Sequence, residues 1–201
     1  MKSGIVIIAR YNEDVNWVNK LTIPYLIYNK GSHIDIEHKN IPNEGREGET
    51  YLRYILEHYE NLPNYITFCQ GNPFAHCDVE GRGVRAHPGY HVDIDFIQAV
   101  NEYQIQNEVC ALGHWIVIED LNGFPHAVGY GMVDMMHSLN IPCLVENFTF
   151  AAGAQYIVSQ SHILNKSKKW WENCYEKYNN NPRSPWIFER IWPVIFNHEE
   201  I

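Results

Sequence analysis

The chain opens on a continuous apolar, β-branched run, Gly4 to Ala9, the pattern of a strand buried on both faces. A polar loop, Arg10-Tyr11-Asn12-Glu13-Asp14, leads from it into a short helix with Trp17, Val18 and Leu21 on one side. Tyr25 to Tyr28 predicts a second strand, and the alternation His-Ile-Asp-Ile-Glu-His over His33 to His38 predicts a half-exposed edge strand. Apolar positions at Leu52, Ile55, Leu56 and Tyr59 follow i, i+3, i+4, i+7, so Tyr51 to Tyr59 is an amphipathic helix, with the cap near Glu49 or Thr50. Tyr65 to Cys69 is the next buried strand. Strands alternating with helices in this way imply an α/β sandwich with a mostly parallel sheet.

From Gln70 to Gly89 the periodicity lapses, with Gly71, Pro73, Gly81, Gly83, Pro88 and Gly89 close together. A loop of that length inside a compact domain is usually functional. Beyond it the pattern predicts a helix over Val92 to Val109, with Asp95 as a cap, and strands over Leu112 to Ile118, Cys143 to Asn147 and Gly153 to Ser159. Helices are predicted over Met132 to Leu139, Lys166 to Tyr178 and Trp186 to Phe196. No repeat or linker interrupts residues 1–201, which read as one domain.

Charge narrows the function. Fifteen Lys and Arg against 24 Asp and Glu leave a net charge of −9, which argues against a basic footprint for nucleic acid. Five cysteines form no CxxC pair, so neither a zinc knuckle nor a disulfide framework is expected. No run approaches a membrane span and the apolar start is too short for a signal peptide, so the expected location is the cytoplasm. HExxH, GxSxG and Walker motifs are missing, which removes support for proteolysis, acyl transfer and kinase chemistry.

Ligands of open α/β sheets sit beyond the carboxyl ends of the strands, which singles out three loops, Arg10 to Asp14, Gln70 to Gly89 and the ground around Glu119 to Gly131, with the turn before the amphipathic helix as a further candidate. After the first strand, Arg10 can meet a phosphate and Tyr11 a base, although a solvated turn capped by Asn12 or Asp14 explains the same residues. Gly45-Arg46-Glu47-Gly48 precedes a helix start, where a cation and free amides attract anions. His76, Asp78 and Glu80 fall in the long loop, and carboxylates there suit Mg²⁺ or Mn²⁺. Asp93 and Asp95 are better explained by a helix N-terminus.

Four stretches together resemble a known family. Ile5 to Glu13 is similar to the opening strand and nucleotide-contacting loop of GT-A glycosyltransferases. Pro42-Asn43-Glu44-Gly45-Arg46-Glu47 with Thr50-Tyr51-Leu52, Phe68 to His76, and Glu189 to Phe196 resemble the small GT-A-like domain of chlorella-virus capsid-glycan glycosyltransferases and related uncharacterised viral and fungal proteins. The resemblance implies a GT-A-like three-layer sandwich, a central mostly parallel mixed sheet flanked by helices. It implies transfer of a sugar from a UDP-sugar donor to a hydroxyl of a glycan or sugar acceptor, inverting, with Mn²⁺ or Mg²⁺.

By the same resemblance, Ala9, Arg10, Tyr11 and Asn12 line the uridine pocket and Arg46 approaches the ribose or diphosphate. The family's Asp-x-Asp metal motif falls where this chain has Gln70-Gly71-Asn72, next to the nucleotide but without a carboxylate. Asp78 would then supply the metal ligand, with His76 or Glu80 second. Phe150 to Val158 and Trp170 to Tyr178 resemble the acceptor side, and Glu189 stands where the catalytic base of inverting members begins a helix. Trp186, Trp170, Trp171 and Tyr156 offer faces for sugars, although aromatics at helical spacing are more often core. The competing readings are a non-catalytic nucleotide- or carbohydrate-binding module on the same fold and, with no motif behind it, a glycoside hydrolase.

Overall fold

The computed structural model describes residues 4–77, 82–87, 90–103, 109–113 and 116–198. In chain order the first half holds β1 (Gly4–Arg10), β2 (Tyr25–Asn29), β3 (Lys39–Asn40), α1 (Arg46–His58), β4 (Tyr65–Gln70), β5 (Arg82–His87), β6 (Tyr90–Asp95) and α2 (Phe96–Asn101). The second half holds β7 (Val109–Ala111), β8 (Ile116–Asp120), α3 (Met132–Ser138), β9 (Asn147–Ala151), β10 (Tyr156–Ser159), α4 (Gln160–Leu164), α5 (Lys168–Asn179) and α6 (Ser184–Asn197). A six-stranded sheet runs β3-β2-β1-β4-β10-β7, and the antiparallel pairs β5-β6 and β8-β9 form two small two-stranded sheets.

β1 pairs in parallel with β2 on one side and β4 on the other, and β3 extends the parallel run beyond β2. β10 is antiparallel to both β4 and β7. The expected α/β class with a mostly parallel, mixed sheet is therefore what the chain adopts. Alternation along β1 divides the interior, since successive side chains leave a strand on opposite faces. Ile7 joins Tyr51, Ile55, Trp171, Phe188 and Trp192 from α1, α5 and α6, whereas Val6 and Ile8 join Trp17, Phe96 and Val100 on the opposite face. Each fully buried large side chain of this kind stabilises the fold by about 1.5–3 kcal/mol. Among the described residues no helix is long and apolar enough to cross a membrane. All five cysteines are free thiols.

Several expected elements shift. The edge strand is Lys39–Asn40 rather than His33 to His38, because Arg10 and Asn29 both grip the Ser32 carbonyl and draw that segment off the sheet edge. The first helical segment is a single 3-10 turn, Asn16–Lys20. α1 starts at Arg46, five residues ahead of the apolar periodicity, behind a left-handed Gly45. The long loop contains a 3-10 turn, Pro73–His76, and then β5, which pairs with β6. The helix expected over Val92 to Val109 shrinks to α2, since the preceding residues pair as β6; Asp95 does cap it, accepting from the Gln98 amide at 2.7 Å.

Of the strand expected over Leu112 to Ile118 only Ile116 to Ile118 pairs, as the start of β8, while β7 ends just before it at Ala111 and belongs to a different sheet. Of the strand expected over Cys143 to Asn147, residues 143–146 are irregular and pairing begins only at Asn147, after which Phe148 and Phe150 alternate inward. Gly153 and Ala154, both at positive φ, form a turn that delays β10 to Tyr156. The helix expected over Lys166 to Tyr178 is α5, capped by Ser167, with the separate α4 before it. α6 begins at Ser184, so Glu189 lies in its second turn and does not begin the helix.

Candidate functional site

β1 is where the sheet changes direction: the chain adds β2 and β3 on one side, then crosses over to add β4 on the other. Such a reversal leaves a crevice beyond the carboxyl ends of the two diverging strands. A cleft of about 360 Å³ lies there, lined by Ala9, Arg10, Tyr11, Glu13, Lys30, Asn43, Arg46, Glu47 and Gln70. Its walls come from the ends of β1 and β4, the loop after β1, the residue after β2, and the start of α1.

Three cations serve the cleft differently. Arg10 is buried; its Nε donates to the Glu13 carbonyl at 2.9 Å, and its Nη1 donates to the Tyr11 and Ser32 carbonyls and to Asn29 Oδ1 at 2.6 Å. That side chain pins the loop after β1, and only Nη2 meets no acceptor among the described residues. Lys30 is buried too, and its ammonium donates to the Glu44 and Arg46 carbonyls and to Glu49 Oε2 at 2.9 Å. Burial lowers its pKa while Glu49 opposes the shift. Three donors are the whole capacity of an ammonium, so Lys30 acts as a clamp on the turn before α1.

Arg46 is the exposed cation. Gly45 (φ +58°) and Arg46 (φ +48°) are both left-handed, a conformation that a non-glycine residue adopts at a cost of about 1–3 kcal/mol and that clusters at ligand sites. The Arg46 guanidinium has no hydrogen bond or ion pair among the described residues and lies 5.0 Å over the Trp186 ring. It is therefore the cation open to an anionic ligand.

Behind the cleft residue Gln70, Gly153 ties further pieces together. Its amide donates to Glu189 Oε1 at 2.8 Å and its carbonyl accepts from Gln70 Nε2 at 3.1 Å. A Cβ at Gly153 would stand 2.4 Å from the His76 ring, and φ is +94°, so space and backbone both require glycine. The other oxygen of Glu189 accepts from Arg190 Nη1 at 3.3 Å, and Arg190 in turn forms a buried fork with Glu119 at 2.7 and 2.9 Å. Burial holds the His76 imidazole below its usual pKa, with Glu189 pulling the other way.

Glu47 is a perturbed carboxyl. It lines the cleft, half-buried, and burial raises its pKa above the ordinary 4.5; Glu189 adds to this, while its own backbone amide, Arg46 and Lys30 oppose it. A carboxyl tuned upward in a cleft is suited to proton transfer near neutral pH.

Of the residues expected at the nucleotide, Ala9, Arg10, Tyr11, Arg46 and Gln70 line the cleft together. Asn12 is a brace, its Oδ1 accepting from the Ser32 amide at 2.9 Å. Gly71 donates to the Ala9 carbonyl and accepts from Trp17 Nε1, and its Cα is covered by the Glu13 carboxylate; Asn72 is exposed ahead of the 3-10 turn. Glu13, Lys30, Asn43 and Glu47 were not anticipated as cleft residues. Glu47 follows Arg46 directly, and Lys30 follows a strand end, so position gave a hint that residue type alone did not.

Asp78 and Glu80 lie outside the described residues. Among the described residues no three His, Cys, Asp or Glu side chains converge as a metal site requires, and Gln70-Gly71-Asn72 offers no carboxylate. His76 faces Gly153 and Glu189 instead.

Residues 5–104 match a family described as "Protein of unknown function (DUF3431)". The matched stretch contains every residue named above as lining the cleft, whereas Gly153, Trp186 and Glu189 fall beyond it. No curated protein and no solved structure matches the chain.

Proposed function

We propose that the chain is a glycosyltransferase that takes a sugar from a UDP-sugar donor and gives it to an acceptor hydroxyl, on a GT-A-like fold. The observation that carries this reading is the polar cleft at the β1/β4 reversal, with an unpaired arginine held in a strained turn at its mouth. A nucleoside diphosphate needs a crevice of this kind for the base and ribose and a local cation for the phosphates. Tyr11, half exposed at the rim, offers a face for uracil, and Arg46 offers a planar donor fork for the diphosphate.

In the transfer, the acceptor oxygen attacks the anomeric carbon, the bond from that carbon to the diphosphate oxygen breaks, and the hydroxyl proton passes to a carboxylate. The resemblance gives the proton to Glu189. Glu47 lines the cleft, and burial raises its carboxyl above the ordinary pKa, which makes it the stronger base, so we assign the proton to Glu47 and a positioning role to Glu189. Glu189 holds Gly153, and through it Gln70, against the end of β4. The test is UDP release from a panel of UDP-sugars, with pH–rate profiles. Glu47→Gln is expected to lower kcat about 100-fold or more and to flatten the acid limb, while Glu189→Gln keeps that limb and raises KM. Unchanged turnover in Glu47→Gln would remove it from the reaction.

A further inference from the structure

A second cleft, of about 280 Å³, adjoins the first and shares Arg46 with it. It lies between the turn before α1 and the segment joining α5 to α6, with Glu44, Asn179, Asn181 and Trp186 on its walls. α6 buries Ile187, Phe188, Ile191, Trp192, Ile195 and Phe196, yet leaves Trp186 39% exposed and facing this hollow. A large indole kept partly in water on a concave wall forgoes burial that the same helix gives its other aromatics.

The frame around it is rigid. Pro182 and Pro185 restrict the backbone, the Asn181 side chain accepts from the Arg183 amide at 2.9 Å, and Arg183 Nη1 donates to the Gly129 carbonyl at 2.9 Å. The Tyr178 hydroxyl ties this wall to the other by donating to the Gly45 carbonyl at 2.6 Å. The Asn181 amide nitrogen meets no acceptor among the described residues, the exposed Asn179 side chain beside it hydrogen-bonds Tyr175, and Glu44 contributes an acceptor. The Arg46 guanidinium lies 5.0 Å over the Trp186 ring, so indole and guanidinium together, ringed by planar amides and a carboxylate, form the surface that matches a pyranose, whose C–H face is apolar and whose edge carries hydroxyls. The same walls lack the cluster of cations that a second phosphate ligand needs.

We infer that this second cleft is a saccharide subsite, with Trp186 as the stacking platform and Asn179, Asn181 and Glu44 as hydroxyl partners, and that it receives the acceptor sugar. The acceptor role rests on the transferase reading above; saccharide binding does not. Position supports the role, because an acceptor hydroxyl must come within bonding reach of a donor held in the adjoining cleft.

The experiment is saturation-transfer NMR on the full chain with a panel of methyl pyranosides and short β-linked oligosaccharides, followed by affinity titration of any that bind. Wild type is expected to bind at least one saccharide, with UDP present or absent. Trp186→Ala is expected to weaken that saccharide about tenfold or more, and Asn179→Ala to weaken it less. Because Trp186 is exposed, circular dichroism of the variant is expected to match wild type; if Trp186→Ala does not fold, the Asn179→Ala titration decides. Trp186-dependent saccharide binding without any UDP binding would overturn the donor reading and leave this one standing. No binding by any saccharide, displacement of the saccharide by UDP, or equal binding by the variants would overturn the subsite.

Discussion

Gly153 concentrates much of the site in one residue. Its amide, carbonyl and Cα each face a different partner, Glu189, Gln70 and the His76 ring. Gly153→Val should therefore lose about 1–3 kcal/mol from the backbone alone, with the collision against His76 added, and urea unfolding measures the sum. Glu47 makes a pH-dependent counterpart. A carboxyl whose folded pKa is raised binds its proton more tightly folded than unfolded, so its contribution is full below about pH 4.5 and is lost as pH rises through the folded value. Glu47→Gln should remove that loss: the stability difference between wild type and variant moves in the variant's favour from pH 4.5 upward. Parallel urea titrations across that range would show it, and a pH-independent difference would contradict the burial of Glu47.

Among the elements, the turn before α1 is the one most dependent on long-range support. Lys30 holds the carbonyls of Glu44 and Arg46, while Glu49 is shared with Arg53 and Tyr175. Lys30→Met should cost about 3–5 kcal/mol, because a buried charge loses its partner and two carbonyls lose their donor; equilibrium unfolding reports the loss, and Lys30→Met/Glu49→Gln should recover part of it. The difference in legibility follows from the same contrast between local and distant causes. β1, β2 and β4 were readable because each is a buried apolar run, and the body of α1 because its apolar stripe is periodic. The start of α1 was not, since Gly45 and Arg46 are held left-handed by Lys30, the residue after β2. β7, three residues long, exists through pairing with a distant partner, so no local pattern announces it, whereas β10 falls within the apolar run that predicts a strand over Gly153 to Ser159. The cleft was half legible in the same way: Arg10, Arg46 and Gln70 mark strand and helix ends, whereas the roles of Lys30 and Glu47 come from burial that only the packed chain creates.

Across the whole molecule, a net charge of −9 is compatible with an anionic ligand as long as that ligand is small and met locally. The arrangement provides for this with one open guanidinium, a strained turn that aims it, and a crevice where the sheet reverses direction. The most direct test of that claim is the thermal unfolding midpoint of the intact chain with UDP, GDP or CMP, each with and without Mn²⁺. UDP at about 100 times its Kd should add about 2.7 kcal/mol to stability, roughly 5–10 °C for a chain of this length, with GDP and CMP far below it. An unchanged midpoint at millimolar UDP, both with and without Mn²⁺, would contradict a nucleoside diphosphate in the cleft between β1 and β4.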